Sequence, residues 1–121
     1  MKRENISSGS PWEDKIGYSR AVKIGNTIEL SGTTAPGKTI AEQTEGIIQL
    51  AKKVLEENGS SLNNVVRTRI FTTDISQWEK IGEIHGNYFG NIKPVTTMVE
   101  ISKLIDPDIF VEIEFTAIVA D

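Results

Sequence analysis

Residues 109–119, IFVEIEFTAIV, alternate so strictly that few local structures accommodate them. Val111, Ile113, Phe115 and Ala117 fall on one side of an extended chain, and Glu112, Glu114, Thr116 and Ile118 on the other. That period of two belongs to a β-strand. The aliphatic side must be covered by an element with an apolar stripe of its own. The acidic side must meet water or cations, because a buried unpaired carboxylate is costly.

The rest of the chain supplies partners for such a strand. Tyr18 to Ile24 and Thr27 to Ser31 read as two strands joined by Gly25-Asn26, residue types that suit a two-residue hairpin turn. A helix is expected from Thr39, whose hydroxyl can cap it with Glu42 three residues on. Ile40, Ile47, Ile48, Ala51, Val54 and Leu55 keep helical spacing, and Asn58-Gly59 closes the element. Val65 to Phe71 is the next strand. Asp74 opens a second helix with Trp78, Ile81, His85, Tyr88 and Phe89 as its apolar stripe, stopped by Gly90-Asn91 ahead of Pro94. Val95 to Ser102 forms another strand before the one at the C-terminal end.

The predicted order is therefore β-β-α-β-α-β-β, an α+β layer fold with a mixed sheet and two helices on one face. Its 121 residues suit one core, so residues 17–121 are expected to form a single domain. Residues 1–16, MKRENISSGSPWEDKI, are polar and read as an N-terminal arm with Trp12 as its one large apolar anchor.

Strand alternation also assigns faces. Val66, Thr68 and Ile70 separate from Arg67, Arg69 and Phe71. In the following strand Thr97, Val99 and Ile101 are placed on the helix side, with Thr96, Met98 and Glu100 opposite. The second sheet face then mixes Arg67, Arg69, Phe71, Met98, Glu100, Glu112 and Glu114. Arginines, carboxylates and large apolar groups together suit a face covered by another copy of the chain, where arginine forks pair with the acids. A solvated face with cross-strand charge pairs is the alternative.

Composition removes several kinds of chemistry. There is no cysteine, hence no disulfide, thiolate nucleophile or iron–sulfur site, and a single histidine rules out a multi-histidine zinc site within one chain. No metal and no other cofactor is expected, and SGTTAPGK lacks the spacing of a phosphate-binding loop. The net charge of −4 argues against binding nucleic-acid phosphates. No stretch approaches the ~20 apolar residues of a membrane span, and the polar N-terminus does not read as a signal peptide, so a cytoplasmic protein is expected. The serines show no nucleophile-elbow motif.

Three segments, GYSRAVKIGNTIELSG, VVRTRIFTTDISQWEKIGEIHGNYFG and KPVTTMVEISKLIDPDIFVEIEFTAIV, are similar to the Rid family of YjgF-type proteins, over about Gly17 to Val119. The resemblance implies a chorismate-mutase-like fold, a homotrimer and a small-molecule ligand in clefts between subunits. It further implies cofactor-free hydrolysis of reactive 2-enamines and 2-imines to 2-keto acids and ammonia. Residue by residue, Tyr18 matches the family's pocket tyrosine, and Ser31-Gly32 the pair whose backbone lies along the cleft. Glu112 matches the glutamate that places the attacking water. Thr96 stands where the deaminase branch carries the arginine that binds the substrate carboxylate, and Met98 where many members have a small residue or cysteine.

Arg20 and Arg69 are the candidates to replace that arginine, Arg69 also being able to pair internally with Glu100 or Glu114. His85 reads as a packing residue or, less simply, as an acid–base group. Two functions stay open: a hydrolase of imine-type metabolites, and a binding or protective, chaperone-like trimer without turnover. Nucleic-acid cleavage, attributed to some relatives, has little support in the charge.

Overall fold

The computed structural model describes residues 1–120. A six-stranded mixed sheet carries two long helices on one face. The strands are β1 (Arg3–Ile6), β2 (Ala21–Ile24), β3 (Thr27–Thr33), β4 (Val65–Thr72), β5 (Val95–Glu100) and β6 (Val111–Ile118). The helices are α1 (Pro11–Ile16), α2 (Ile40–Glu57) and α3 (Trp78–Phe89). The sheet order is β1-β2-β3-β6-β4-β5, antiparallel throughout except for the parallel pair β4–β5. All seven expected elements are present in order, and the α+β class holds.

The strictest strand of the sequence is a central one. β6 inserts between β3 and β4, and its Val111, Ile113, Phe115 and Ala117 are at most 1% exposed. They pack under α2 and α3 with Ile40, Ile47, Ile48, Leu55, Ile81 and Phe89. Truncating one such aliphatic side chain to alanine costs about 2–5 kcal/mol. Trp78 departs from its expected place in the stripe: at the first position of α3 it is 55% exposed.

The helix ends follow the expected chemistry. Thr39 Oγ1 accepts from the Glu42 amide at 3.1 Å, and the Glu42 carboxylate reaches back to the Lys38 amide at 3.0 Å, one residue beyond the usual capping box. The β2–β3 turn uses positive φ at Gly25 alone, +57°. After α3 the left-handed residue is Lys93, φ +54°, while Gly90 is still helical.

Residues 1–16 correct the expectation of an arm. Arg3–Ile6 pairs with β2 as an edge strand, Asn5 opposite Val22 and Ile6 opposite Ala21. Pro11–Ile16 is a helix capped by Ser10 and closed by Gly17. Glu13 explains the rigidity: it is 6% exposed and its carboxylate takes the Ser8 amide and hydroxyl. A polar composition hid a segment that is tied down by hydrogen bonds, with Ile6 packed against the core.

The faces of β5 are also inverted relative to the expectation. Thr96 pairs with Thr68, Met98 with Ile70 and Glu100 with Thr72, all on the buried side of β4. Thr96, Met98 and Glu100 therefore lie on the helix side, and Val95, Thr97 and Val99 stand with Arg67, Arg69 and Phe71 on the open face. Apolar residues occur on both sides of this edge strand, so hydrophobicity does not fix its phase, and a one-residue change of phase flips every side chain.

Candidate functional site

The open face of the sheet carries the carboxylate that the sequence singles out. Glu112 stands opposite Phe71, and Glu114 opposite Arg69. Between Leu30 and Thr33 the pairing of β3 with β6 slips by one residue, leaving Ser31 and Gly32 in a bulge. The Glu112 carboxylate occupies the space that this bulge opens. A Cβ on Gly32 would lie 2.0 Å from Glu112 Oε2, so no residue but glycine leaves that carboxylate in place.

Arg20 closes the other side of the bulge. Its Nη2 donates to the Gly32 carbonyl at 2.9 Å, while its buried Nε has no protein partner. Ser31 is tied to the chain before β2: its amide donates to Arg20 O at 3.0 Å and its hydroxyl to Ser19 O at 2.5 Å. Tyr18, 42% exposed, lines with Ser31, Ser19, Val22 and Glu29 a depression of about 550 Å³ beside the bulge. Arg20, Ser31, Gly32 and Glu112 thus meet around one backbone bulge, with Tyr18 next to it.

Electrostatics set Glu112 apart. Half-burial pushes its pKa above 4.5, Glu114 pushes it the same way, and Arg20 only partly offsets them. The expected arginine pairing is absent within the chain: among the described residues the one ion pair is Lys53–Glu57 on α2. Arg67 and Arg69 share the open face with the acids without closing a contact. Glu100 is on the other face, where its carboxylate accepts from the Ile75 amide at 3.0 Å.

A second group lies across the sheet. His85 Nε2 is 2.9 Å from Thr68 Oγ1, which is 2.8 Å from Thr96 Oγ1. Thr68 is fully buried, and the Phe89 ring lies 4.6 Å from the imidazole, centroid to centroid. Burial lowers the His85 pKa below 6.5. Met98 packs against the core nearby. Within one chain Thr96 and Met98 do not meet Glu112: they lie on the opposite face and two strands away.

The sequence reading missed Gln43. It is 1% exposed, its Nε2 donates to Gly37 O and Asp108 O at 3.1 and 2.7 Å, and its Oε1 accepts from the Phe110 amide at 2.8 Å. It ties the segments that follow β3 and precede β6, the strands carrying Gly32 and Glu112. The available signal was a glutamine at the helical spacing of the buried stripe, between Ile40 and Ile47. Among the described residues no three His, Asp or Glu side chains are grouped to hold a metal ion. Among the described residues no helix is long and apolar enough to cross a membrane.

A family profile described as Endoribonuclease L-PSP matches residues 12–119. The chain belongs to the Rid/YjgF family. A RutC family protein of Pyrococcus abyssi is 37% identical over 83% of this chain and 84% of its own. The chloroplastic Reactive Intermediate Deaminase A of Arabidopsis thaliana is 28% identical over 86% of this chain and 60% of its own. Among solved structures, a Mycobacterium tuberculosis member of the YjgF/YER057c/UK114 family superposes with a TM-score of 0.95 at 48% identity, covering 98% of this chain and all of its own. The chorismate-mutase-like Rid fold expected from the sequence is therefore the fold of this chain.

Proposed function

We propose that this Rid-family chain is a cofactor-free hydrolase of a reactive imine or enamine, acting in a cleft between the subunits of a homotrimer. The observation that carries the reading is Glu112: a half-buried carboxylate, its pKa raised, held over a glycine bulge beside Arg20. A carboxylate whose pKa is moved toward neutrality can take a proton from water and return it. Water adds its oxygen to the imine carbon, and the proton it gives up passes through Glu112 to the nitrogen. The carbinolamine hydroxyl then gives its proton, again through Glu112, to the amino nitrogen; the C–N bond breaks, and a carbonyl compound and ammonia leave.

Three features support the assembly. Val66, Val95, Val99 and Ile118 are 40–56% exposed on the sheet, an apolar share that water disfavours. Among the described residues Arg67 and Arg69 close no ion pair with a carboxylate of their own chain. Thr96, at the free edge of β5, and Glu112, on the open face, can touch one ligand only if they come from different copies.

A trimer that binds without turnover is the second reading, favoured by Thr96, which offers no cation to an acidic substrate. Ammonia release from imines generated in situ separates the two. Turnover by wild type that falls about 100-fold or more in Glu112→Gln is expected, the usual scale for a lost acid–base group. Ligand binding with no acceleration of any imine would leave the binding protein.

A further inference from the structure

Thr96 is not an isolated hydroxyl. It ends a hydrogen-bonded chain that begins inside the protein: His85 Nε2, Thr68 Oγ1, Thr96 Oγ1, then the Pro94 carbonyl at 3.3 Å. The direction of the chain follows from its last member. A carbonyl only accepts, so Thr96 donates to Pro94 O. Each threonine has one proton, so with that contact made Thr68 donates to Thr96 and His85 to Thr68 through Nε2–H; the reverse order gives up the Pro94 contact and puts the imidazole proton on Nδ1. The last bond is longer than the 2.5–3.0 Å usual between oxygens. A ligand oxygen approaching the exposed Thr96 can therefore take that proton in place of Pro94.

We propose that His85 is a positioning residue that holds Thr96 as a hydrogen-bond donor toward the cleft, so that the ligand group read there is a neutral carbonyl, such as an amide, in preference to a carboxylate. This rests on the inter-subunit cleft proposed above. A neutral imidazole supplies direction without charge, which suits a neutral acceptor. A carboxylate would be taken from water toward a half-apolar edge, beside Met98, without a cation to match it.

The surroundings of His85 keep it neutral near pH 7. Thr68 and Thr96 face it from β4 and β5, and Arg67 and Arg69 lie across the sheet. Glu45 of α2 is engaged by the Tyr88 hydroxyl, and Glu100 by the Ile75 amide. Burial alone lowers its pKa. Protonation below that pKa fixes the same donor direction and adds a charge, so carboxylate binding should strengthen as pH falls. By reciprocity a bound carboxylate raises the His85 pKa.

Because the chain has one histidine, its ring nitrogens are unambiguous in long-range proton–nitrogen NMR spectra of the intact assembly. At pH 7.5 the neutral Nε2–H tautomer is expected, and a neutral Nδ1–H tautomer overturns the proposal whatever the ligand. Titration with 2-oxobutanamide and 2-oxobutanoate should give tighter binding of the amide at pH 7.5. As pH falls through the His85 pKa, which burial holds below 6.5, the acid should gain on the amide.

His85→Gln keeps an N–H donor but cannot titrate. It should preserve the amide preference and lose the part of the gain due to His85, any residue being assigned to Glu112 by Glu112→Gln. Identical pH profiles in wild type and His85→Gln, across the range in which NMR shows His85 taking up its proton, overturn the relay. Failure of both probes to bind, with the Nε2–H tautomer in place, overturns the assignment of Thr96 as a reading group. It leaves the hydrolase reading to stand or fall on ammonia release.

Discussion

Glu112 and Gly32 occupy adjoining space across the β3–β6 bulge, with 2.0 Å between the carboxylate Oε2 and the point where a Cβ would begin on Gly32. The smallest substitution tests whether that contact matters. Gly32→Ala should displace the carboxylate, the mobile end of a half-buried side chain, with little change in stability. Any imine turnover should drop with the loss of Glu112 geometry. A folded Gly32→Ala variant with unchanged turnover would show that Glu112 does not need the space beside Gly32.

The raised pKa of Glu112 has a consequence for stability. The native state holds a proton on this group more readily than the unfolded chain does, so its contribution is complete below about pH 4.5 and is lost as pH rises through the folded-state pKa. At pH 8 the charged carboxylate opposes folding. Glu112→Gln should therefore raise Tm at pH 8, and the difference should shrink toward pH 4. Thermal melts of both proteins across that range check it. A Tm lowered at pH 8 would mean that the carboxylate is held by a stabilising contact instead.

The proposed hydrolase reading gives Thr96 the acid end of the substrate range. Small 2-imino acids offer little beyond a carboxylate and an imine, so wild type should turn them over weakly. Thr96→Arg restores a bidentate cation, and roughly 3 kcal/mol of recovered transition-state binding corresponds to about 100-fold in rate. The check is kcat/KM on 2-iminopropanoate for both proteins. Wild-type turnover undiminished beside the arginine variant would point to Arg20 or Arg69 as the carboxylate site.

Arg69 tests the assembly. It stands opposite Glu114 and closes no salt bridge among the described residues. If the open face is an interface, Arg69→Ala leaves a buried carboxylate unpaired, a loss of about 3–5 kcal/mol. Light scattering should then show a homotrimer for wild type at micromolar concentration and smaller species for the variant. A monomeric wild type would remove the inter-subunit cleft altogether.

How much of this was legible follows from how each residue is held. β6 and α2 carry unbroken periodicity, and both were readable because apolar burial places them. Glu112 and the Ser31-Gly32 pair were found through family resemblance; the bulge that joins them depends on a register slip that no pattern in either strand announces. β5 was assigned the wrong phase because it is an edge strand with valines on one side and methionine on the other. That hid the His85–Thr68–Thr96 chain, since Thr96 had been set on the far face. The first sixteen residues read as an arm because Glu13 organises them through polar contacts, which leave no hydrophobic period.

The central claim is that position 96 and Glu112 serve one ligand from two different subunits. Mixed assemblies test it most directly. One chain carries both Thr96→Arg and Glu112→Gln, and the other is wild type at both positions. Neither homotrimer combines an arginine at position 96 with Glu112. Co-assembled, one chain's arginine and its neighbour's Glu112 should share a cleft, giving 2-iminopropanoate turnover well above that of either parent. No gain on mixing, with the Thr96→Arg single variant active by itself and subunit exchange shown by mass spectrometry, would contradict the account.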